Sequence, residues 1–317
     1  MARDITVNIG DFSLERGDVL QGDTAHARLY GPEGAPLIIV LGGISATRFV
    51  ADSGRNNRGW WSSLVRGGGP IDLTRFQVLG LEFAPSSDNQ PAPDTITTGD
   101  QARRLKAVLD DQNITRVSAI IGSSYGGMTA LKFAEFFPDM LGHLCLIGAA
   151  HRPYPIGVAW RGIQRRIVRL GLEAGRAQEG LKLARELAMT TYRTPAEFAD
   201  RFDLKETSRS PASFDICDYL GSRGDHFAKN MEARRFLALS ESIDLHRAEP
   251  ESISTPTLLM TAISDQIAPL ADMQELRDRL AGPSELFTFT SLYGHDAFLK
   301  EYDAMGPKLA EFCAELV

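Results

Sequence analysis

Short apolar runs punctuate the chain, and longer stretches between them repeat their apolar positions every three or four residues. Residues 36–43 (PLIIVLGG), 76–83 (FQVLGLEF), 117–122 (VSAIIG), 143–150 (HLCLIGAA), 256–262 (PTLLMTA) and 285–291 (ELFTFTS) are short and rich in branched residues, which predicts buried strands. Residues 99–112, 271–282 and 304–316 carry helical spacing instead. Strands alternating with helices predict an α/β fold with a mainly parallel sheet flanked by helices. Residues 4–17 and 25–31 read as antiparallel edge strands leading into that sheet.

From residue 151 to 250 the rhythm breaks. Three arginine-rich helical patterns follow one another without strands between them, and the sheet resumes only afterwards. The expectation is a core made of residues 1–150 and 251–317, with residues 151–250 inserted as a helical lid. An insertion at that point covers the carboxyl ends of the strands, where open α/β sheets bind ligands.

Composition narrows the function classes. The chain has 317 residues and a net charge of −7, which gives no reason to expect nucleic acid or an anionic membrane surface as partner. No run of eighteen apolar residues occurs, and the amino terminus lacks the apolar core of a signal peptide. Cys145, Cys217 and Cys313 are scattered and odd in number, the pattern of reduced thiols in a cytoplasmic protein. With no C-x-x-C or H-E-x-x-H spacing, neither a metal nor a permanently bound cofactor is expected.

The chemistry is carried by Gly122-Ser123-Ser124-Tyr125-Gly126, a G-x-S-x-G turn between a strand and a helix. Ser124 is the central residue and the candidate nucleophile, and its small neighbours let the turn form. His295, on a loop after the last strand, is the candidate base, with His151 as its only rival. Asp265, just past a late strand, is the candidate orienting carboxylate. The oxyanion hole would use the backbone amides of Tyr125 and of a residue in 41–46, with Ile44 the expected donor.

Four blocks resemble the homoserine O-acetyltransferases of the MetX type, within the α/β-hydrolase superfamily: residues 59–80 (GWWSSLVRGGGPIDLTRFQVLG), 122–139 (GSSYGGMTALKFAEFFPD), 190–202 (TTYRTPAEFADRF) and 293–301 (YGHDAFLKE). The resemblance implies an acyl-CoA co-substrate that acylates Ser124, L-homoserine as acceptor, and a homodimer. It implies that Asp296 meets the acceptor's amino group and Arg193 its carboxylate. Trp60 and Trp61 are expected to pack the wall of the entrance. Ile44 and Tyr125 depart from the family's threonine and methionine, which leaves the acyl donor open between acetyl and succinyl. Arg48, Arg55 and Arg58, close in sequence to the oxyanion loop, are read as surface charges, with contact to a succinyl carboxylate as the alternative. The same triad would also serve a carboxylic-ester hydrolase, or an acyltransferase acting on serine or another alcohol.

Overall fold

The computed structural model describes residues 2–54, 58–86 and 95–316. In chain order its regular elements are β1 (Arg3–Ser13), β2 (Val19–Tyr30), β3 (Leu37–Leu41), β4 (Val65–Arg66), β5 (Ile71–Asp72), β6 (Gln77–Leu81), α1 (Thr98–Asp111), β7 (Val117–Ser123), α2 (Tyr125–Phe136) and β8 (Leu141–Ile147). The insertion follows, with α3 (Pro155–Glu173), α4 (Ala177–Tyr192), α5 (Pro195–Arg201), β9 (Glu206–Arg209), β10 (Ala212–Phe214), α6 (Asp215–Asn230) and α7 (Ala233–Leu245). The chain then closes with β11 (Thr257–Ala262), α8 (Leu270–Arg279), β12 (Ser284–Phe289) and α9 (Tyr302–Ala314). Among the described residues no helix is long and apolar enough to cross a membrane.

Eight strands form one sheet in the order β1-β2-β6-β3-β7-β8-β11-β12. The first two are antiparallel, as the alternation at the amino terminus predicts, and every pair from β6 to β12 is parallel. The parallel strands are buried on both faces. Leu37, Ile39 and Leu41 of β3 belong to the core on one side, while Ile38 and Val40 belong to the core on the other. A two-faced burial of this kind explains why these runs look uniformly apolar rather than alternating.

Strand order decides where the site lies. From β3 the chain crosses to β6 on one side, and β7 then pairs with β3 on the other. At such a switch point the loops leaving neighbouring strands diverge and open a crevice at their carboxyl ends. The loop after β3 and the turn after β7 therefore face each other.

The insertion is helical from Pro155 to Leu245 except for β9 and β10, an antiparallel pair absent from the sequence reading. Nearly all of its residues are exposed, so it carries no apolar signal. A separate apolar cluster, including Val168, Leu181, Phe227 and Phe236, holds α3, α4, α6 and α7 together. The lid is tied to the core at several points. Tyr125 is fully buried, packs edge-on against Phe83, and its hydroxyl lies 2.7 Å from the Ser242 hydroxyl on α7. Burial pushes the Tyr125 phenol up to about 12, so it serves as a neutral hydrogen-bonding group.

Candidate active site

Ser124 sits between β7 and α2 with φ 52° and ψ −120°. A non-glycine residue held there costs about 1–3 kcal/mol, which the surrounding packing must offset. The packing is tight: a Cβ on Gly122 would lie 2.5 Å from the Gly126 carbonyl oxygen, and one on Gly126 would lie 2.4 Å from that of Leu41. Both neighbours must be glycine. Ser123 is wholly buried, and its hydroxyl has no hydrogen-bond partner among the described residues.

The three candidates from sequence converge. His295 Nε2 lies 2.8 Å from Ser124 Oγ, and His295 Nδ1 lies 2.8 Å from Asp265 Oδ2. The second Asp265 oxygen accepts from the backbone N–H groups of Ile267 and Ala268, at 2.8 and 3.0 Å. A carboxylate locked this way accepts a hydrogen bond from the Nδ1–H group and leaves the Nε2 lone pair facing the serine hydroxyl. Burial alone would lower the His295 pKa. The charge and hydrogen bond of Asp265, with Asp296 adding to them, more than offset it and raise the pKa above its ordinary value.

His151, the rival base, faces elsewhere. Its Nε2 is 3.1 Å from Arg279 Nη1 and 3.4 Å from Glu275 Oε1, away from the serine. Gly43 and Ile44 line the chamber beside Ser124. Tyr125 opens α2, so its N–H has no partner inside the helix, and among the described residues the Ile44 amide also has no backbone acceptor. Two free amides beside the nucleophile make the arrangement of an oxyanion hole.

The chamber is small, about 80 Å³, and its wall is both apolar and charged. Met128, Ile243, Phe298 and Leu299 supply apolar surface, while Asp296, Arg161 and Arg185 supply charge. Trp61 is buried beneath this wall, where its indole N–H donates to the Phe298 carbonyl at 2.9 Å. It supports the chamber floor, with Trp60 stacked on it, and so differs from the entrance wall expected from sequence.

The structure also places Arg193 differently from expectation. Its guanidinium is committed to Asp296, at 3.0 Å from Nε, and to Glu197, at 2.8 Å from Nη1, behind the chamber wall. It therefore braces Asp296 and does not line the chamber. Asp296 lines the chamber, and its other oxygen has no protein partner among the described residues. It does not cap the last helix, which starts only at Tyr302.

Three arginines of the inserted segment that sequence reasoning passed over line the chamber instead, and of these Arg152 is paired with Glu275 and Asp272. Arg185 lies over the rings of Tyr192 and Phe227 and forms no ion pair with a described carboxylate. Arg161 donates to Asp244 at 2.6 Å, but its Nη2 is buried without a partner. The available signal for Arg185 is its spacing of seven from Tyr192, two helical turns along one face of α4. Of the three arginines near the oxyanion loop, Arg48 pairs with Glu82 and Asp4, Arg55 lies outside the described residues, and Arg58 lines a neighbouring cleft. Among the described residues no group of three metal-ligating side chains occurs.

Comparison with known proteins agrees with this geometry. The α/β-hydrolase fold family matches residues 36–302. The homoserine O-succinyltransferase of Xanthomonas campestris pv. campestris is 39% identical over 277 residues, covering 87% of this chain and 74% of that protein. Among solved structures, homoserine O-acetyltransferase from Bacillus anthracis superposes with a TM-score of 0.88 at 18% identity, covering 98% of this chain and 97% of that one. Esterase E22 does so equally well, with a TM-score of 0.88 at 20% identity, covering 98% of this chain and 100% of that one. The fold thus accommodates both transfer and hydrolysis, and the walls of the site must separate them.

Proposed function

The chain belongs to the homoserine O-acyltransferase family of the α/β hydrolases, and on that premise we propose that it moves a succinyl group from succinyl-CoA to the hydroxyl of L-homoserine through an acyl-Ser124 intermediate. The observation that carries the reading is the charged wall. An amino-acid acceptor needs a fixed anion for its ammonium and a fixed cation for its carboxylate, and Asp296 and Arg185 stand in the same chamber as the serine. A simple ester hydrolase has no use for either.

In the first half-reaction His295 Nε2 takes the Ser124 proton as Oγ attacks the thioester carbonyl. The amides of Tyr125 and Ile44 hold the developing oxyanion. Collapse breaks the C–S bond, and the imidazolium returns its proton to the departing CoA thiolate. In the second half-reaction His295 deprotonates the homoserine hydroxyl, whose oxygen attacks the acyl-serine carbonyl. The tetrahedral centre then expels Ser124 Oγ, which recovers the proton. Asp265 stabilises the imidazolium in both passes.

A succinyl group carries a second carboxylate that stays in the chamber through both half-reactions. Arg161, buried and with one nitrogen unpartnered, is suited to meet it. Arg185 borders the outer cleft as well as the chamber and is suited to the acceptor, which arrives second. The deciding experiment mixes enzyme with succinyl-CoA and follows thiol release with and without homoserine. Release that continues only with homoserine supports transfer, whereas sustained release into water alone overturns it in favour of hydrolysis.

A further inference from the structure

Next to the catalytic chamber lies a second, larger cleft of about 830 Å³, to which the catalytic steps assign no task. Ser45 and Arg185 line both cavities, so the two adjoin at the oxyanion loop. Its wall draws on four separate elements. Arg58 comes from the loop after β3, Arg185 from α4, Arg223 and His226 from α6, and Arg235 from α7.

The charge of this cleft runs against that of the molecule. The chain as a whole carries −7, yet arginines dominate here. Its two carboxylates are already engaged: Glu82 pairs with Arg48 at 2.8 Å, and Glu232 caps α7 by accepting from the amides of Arg234 and Arg235. Among the described residues neither Arg58 nor Arg223 pairs with a carboxylate, and both are exposed. Arg235 differs, because its guanidinium donates to the Phe83 and Pro85 carbonyls and so braces the wall. Phe227, buried beneath the Arg185 guanidinium, adds apolar wall.

Guanidiniums that line one cleft without carboxylate partners among the described residues suit a phosphorylated nucleotide, since Arg forks match phosphate oxygens. We propose that this cleft holds the phosphoadenosine-diphosphate end of the acyl-CoA donor, with Arg58 and Arg223 as its phosphate ligands, while the thioester reaches Ser124 past Ser45 and Arg185. The inference rests on the acyl-CoA reading above. It assigns the recognition of the donor to residues remote from the chemistry, where binding is made before and after the transition state alike.

Two measurements test it. The first compares succinyl-CoA with succinyl-pantetheine, which lacks the phosphoadenosine, in the native enzyme and in Arg223→Ala and Arg58→Ala. The expected result is a KM for succinyl-CoA raised about tenfold or more by each substitution, with the native preference for CoA over pantetheine correspondingly reduced. A salt series should show the native KM for succinyl-CoA rising with ionic strength and the Arg223→Ala value rising less. Equal changes with both donors, or none with succinyl-CoA, overturn the assignment. The second measurement titrates adenosine 3′,5′-bisphosphate into the unacylated enzyme by calorimetry. Binding that weakens at least tenfold in Arg223→Ala supports the site, and no binding, or undiminished binding in the variant, refutes it. Nucleotide binding without acyl transfer to homoserine would retain the site and remove the proposed reaction. Acyl transfer without a preference for CoA would do the reverse.

Discussion

Replacing Arg161 with methionine separates the acyl donor from everything else in the mechanism. Methionine keeps an unbranched stem of helical propensity on α3 and removes a guanidinium that lines the chamber and whose Nη2 is buried without a partner. The cost to the fold is limited because Asp244 keeps a second partner, Arg165, with Nη2 2.6 Å away. A hydrogen bond between charged groups contributes about 1.5–3 kcal/mol, so its loss lowers kcat/KM for succinyl-CoA roughly 10- to 150-fold. Acetyl-CoA has no distal carboxylate, so its kcat/KM should stay within about threefold, and the succinyl-to-acetyl ratio should fall by one to two powers of ten.

The assay is steady-state thiol release at saturating homoserine with each donor, accompanied by a thermal melt to show that the variant is folded. An equal loss with both donors would refute the reasoning and return Arg161 to a purely structural part between α3 and α7. A rise confined to the homoserine KM would refute it differently, by exchanging the tasks of Arg161 and Arg185.

Three further outcomes follow from the geometry. Ser124→Ala and Asp265→Asn should each lower kcat by about 10⁴-fold or more, and a mass measurement after mixing with succinyl-CoA should find no acyl adduct on Ser124→Ala. His295 must be neutral to act as base, and its pKa lies above the ordinary value, so the acid limb of kcat/KM should fall above about pH 6.5. Asp296→Asn removes one of the charges that raise it, so that limb should move to lower pH while the homoserine KM rises; an unmoved limb would count against the proximity of the two groups. His246 is buried, and burial lowers its pKa to about 3. The unfolded chain therefore takes up a proton below about pH 6.5 that the folded chain refuses, which costs about 2 kcal/mol of stability at pH 5. Denaturant melts at pH 7 and pH 5 should show that loss in the native protein and much less in His246→Asn.

The sheet and the triad were legible because local pattern dictates both. Buried parallel strands must be apolar on two faces, and Ser124, Asp265 and His295 each follow a strand whose carboxyl end is fixed by that pattern. The strained serine announces itself through Gly122 and Gly126, whose Cβ positions are occupied by neighbouring backbone. The lid was legible only as helices. Which arginine of α4 and its continuation reaches the chamber depends on how α4 packs against α3 and α6, and no local spacing encodes that contact. Arg193 and Arg185 look alike in sequence, and tertiary packing gives one to Asp296 and the other to the cavity. The β9–β10 pair escaped for the opposite reason, being short and almost wholly exposed, with even Phe214 left facing solvent.

The choice of acceptor then follows from electrostatics rather than from the nucleophile. Water and homoserine would attack the same acyl-serine with the same base, so the triad cannot favour either. What differs is the binding free energy available to hold one of them in line. In a chamber of about 80 Å³ a fixed Asp296 and an unpaired Arg185 can orient a zwitterion by two charge-assisted contacts, while water gains nothing comparable. Arg193 and Glu197 matter here although neither lines the chamber. By holding Asp296 from behind, at 3.0 Å through the Arg193 Nε, they fix the anion before the acceptor arrives and spare the transition state that reorganisation. Loosening this brace with Arg193→Ala should therefore raise the homoserine KM and increase the hydrolytic share of turnover, with the acylation half-reaction least affected. Equal loss in both half-reactions would mean that the brace supports the lid as a whole.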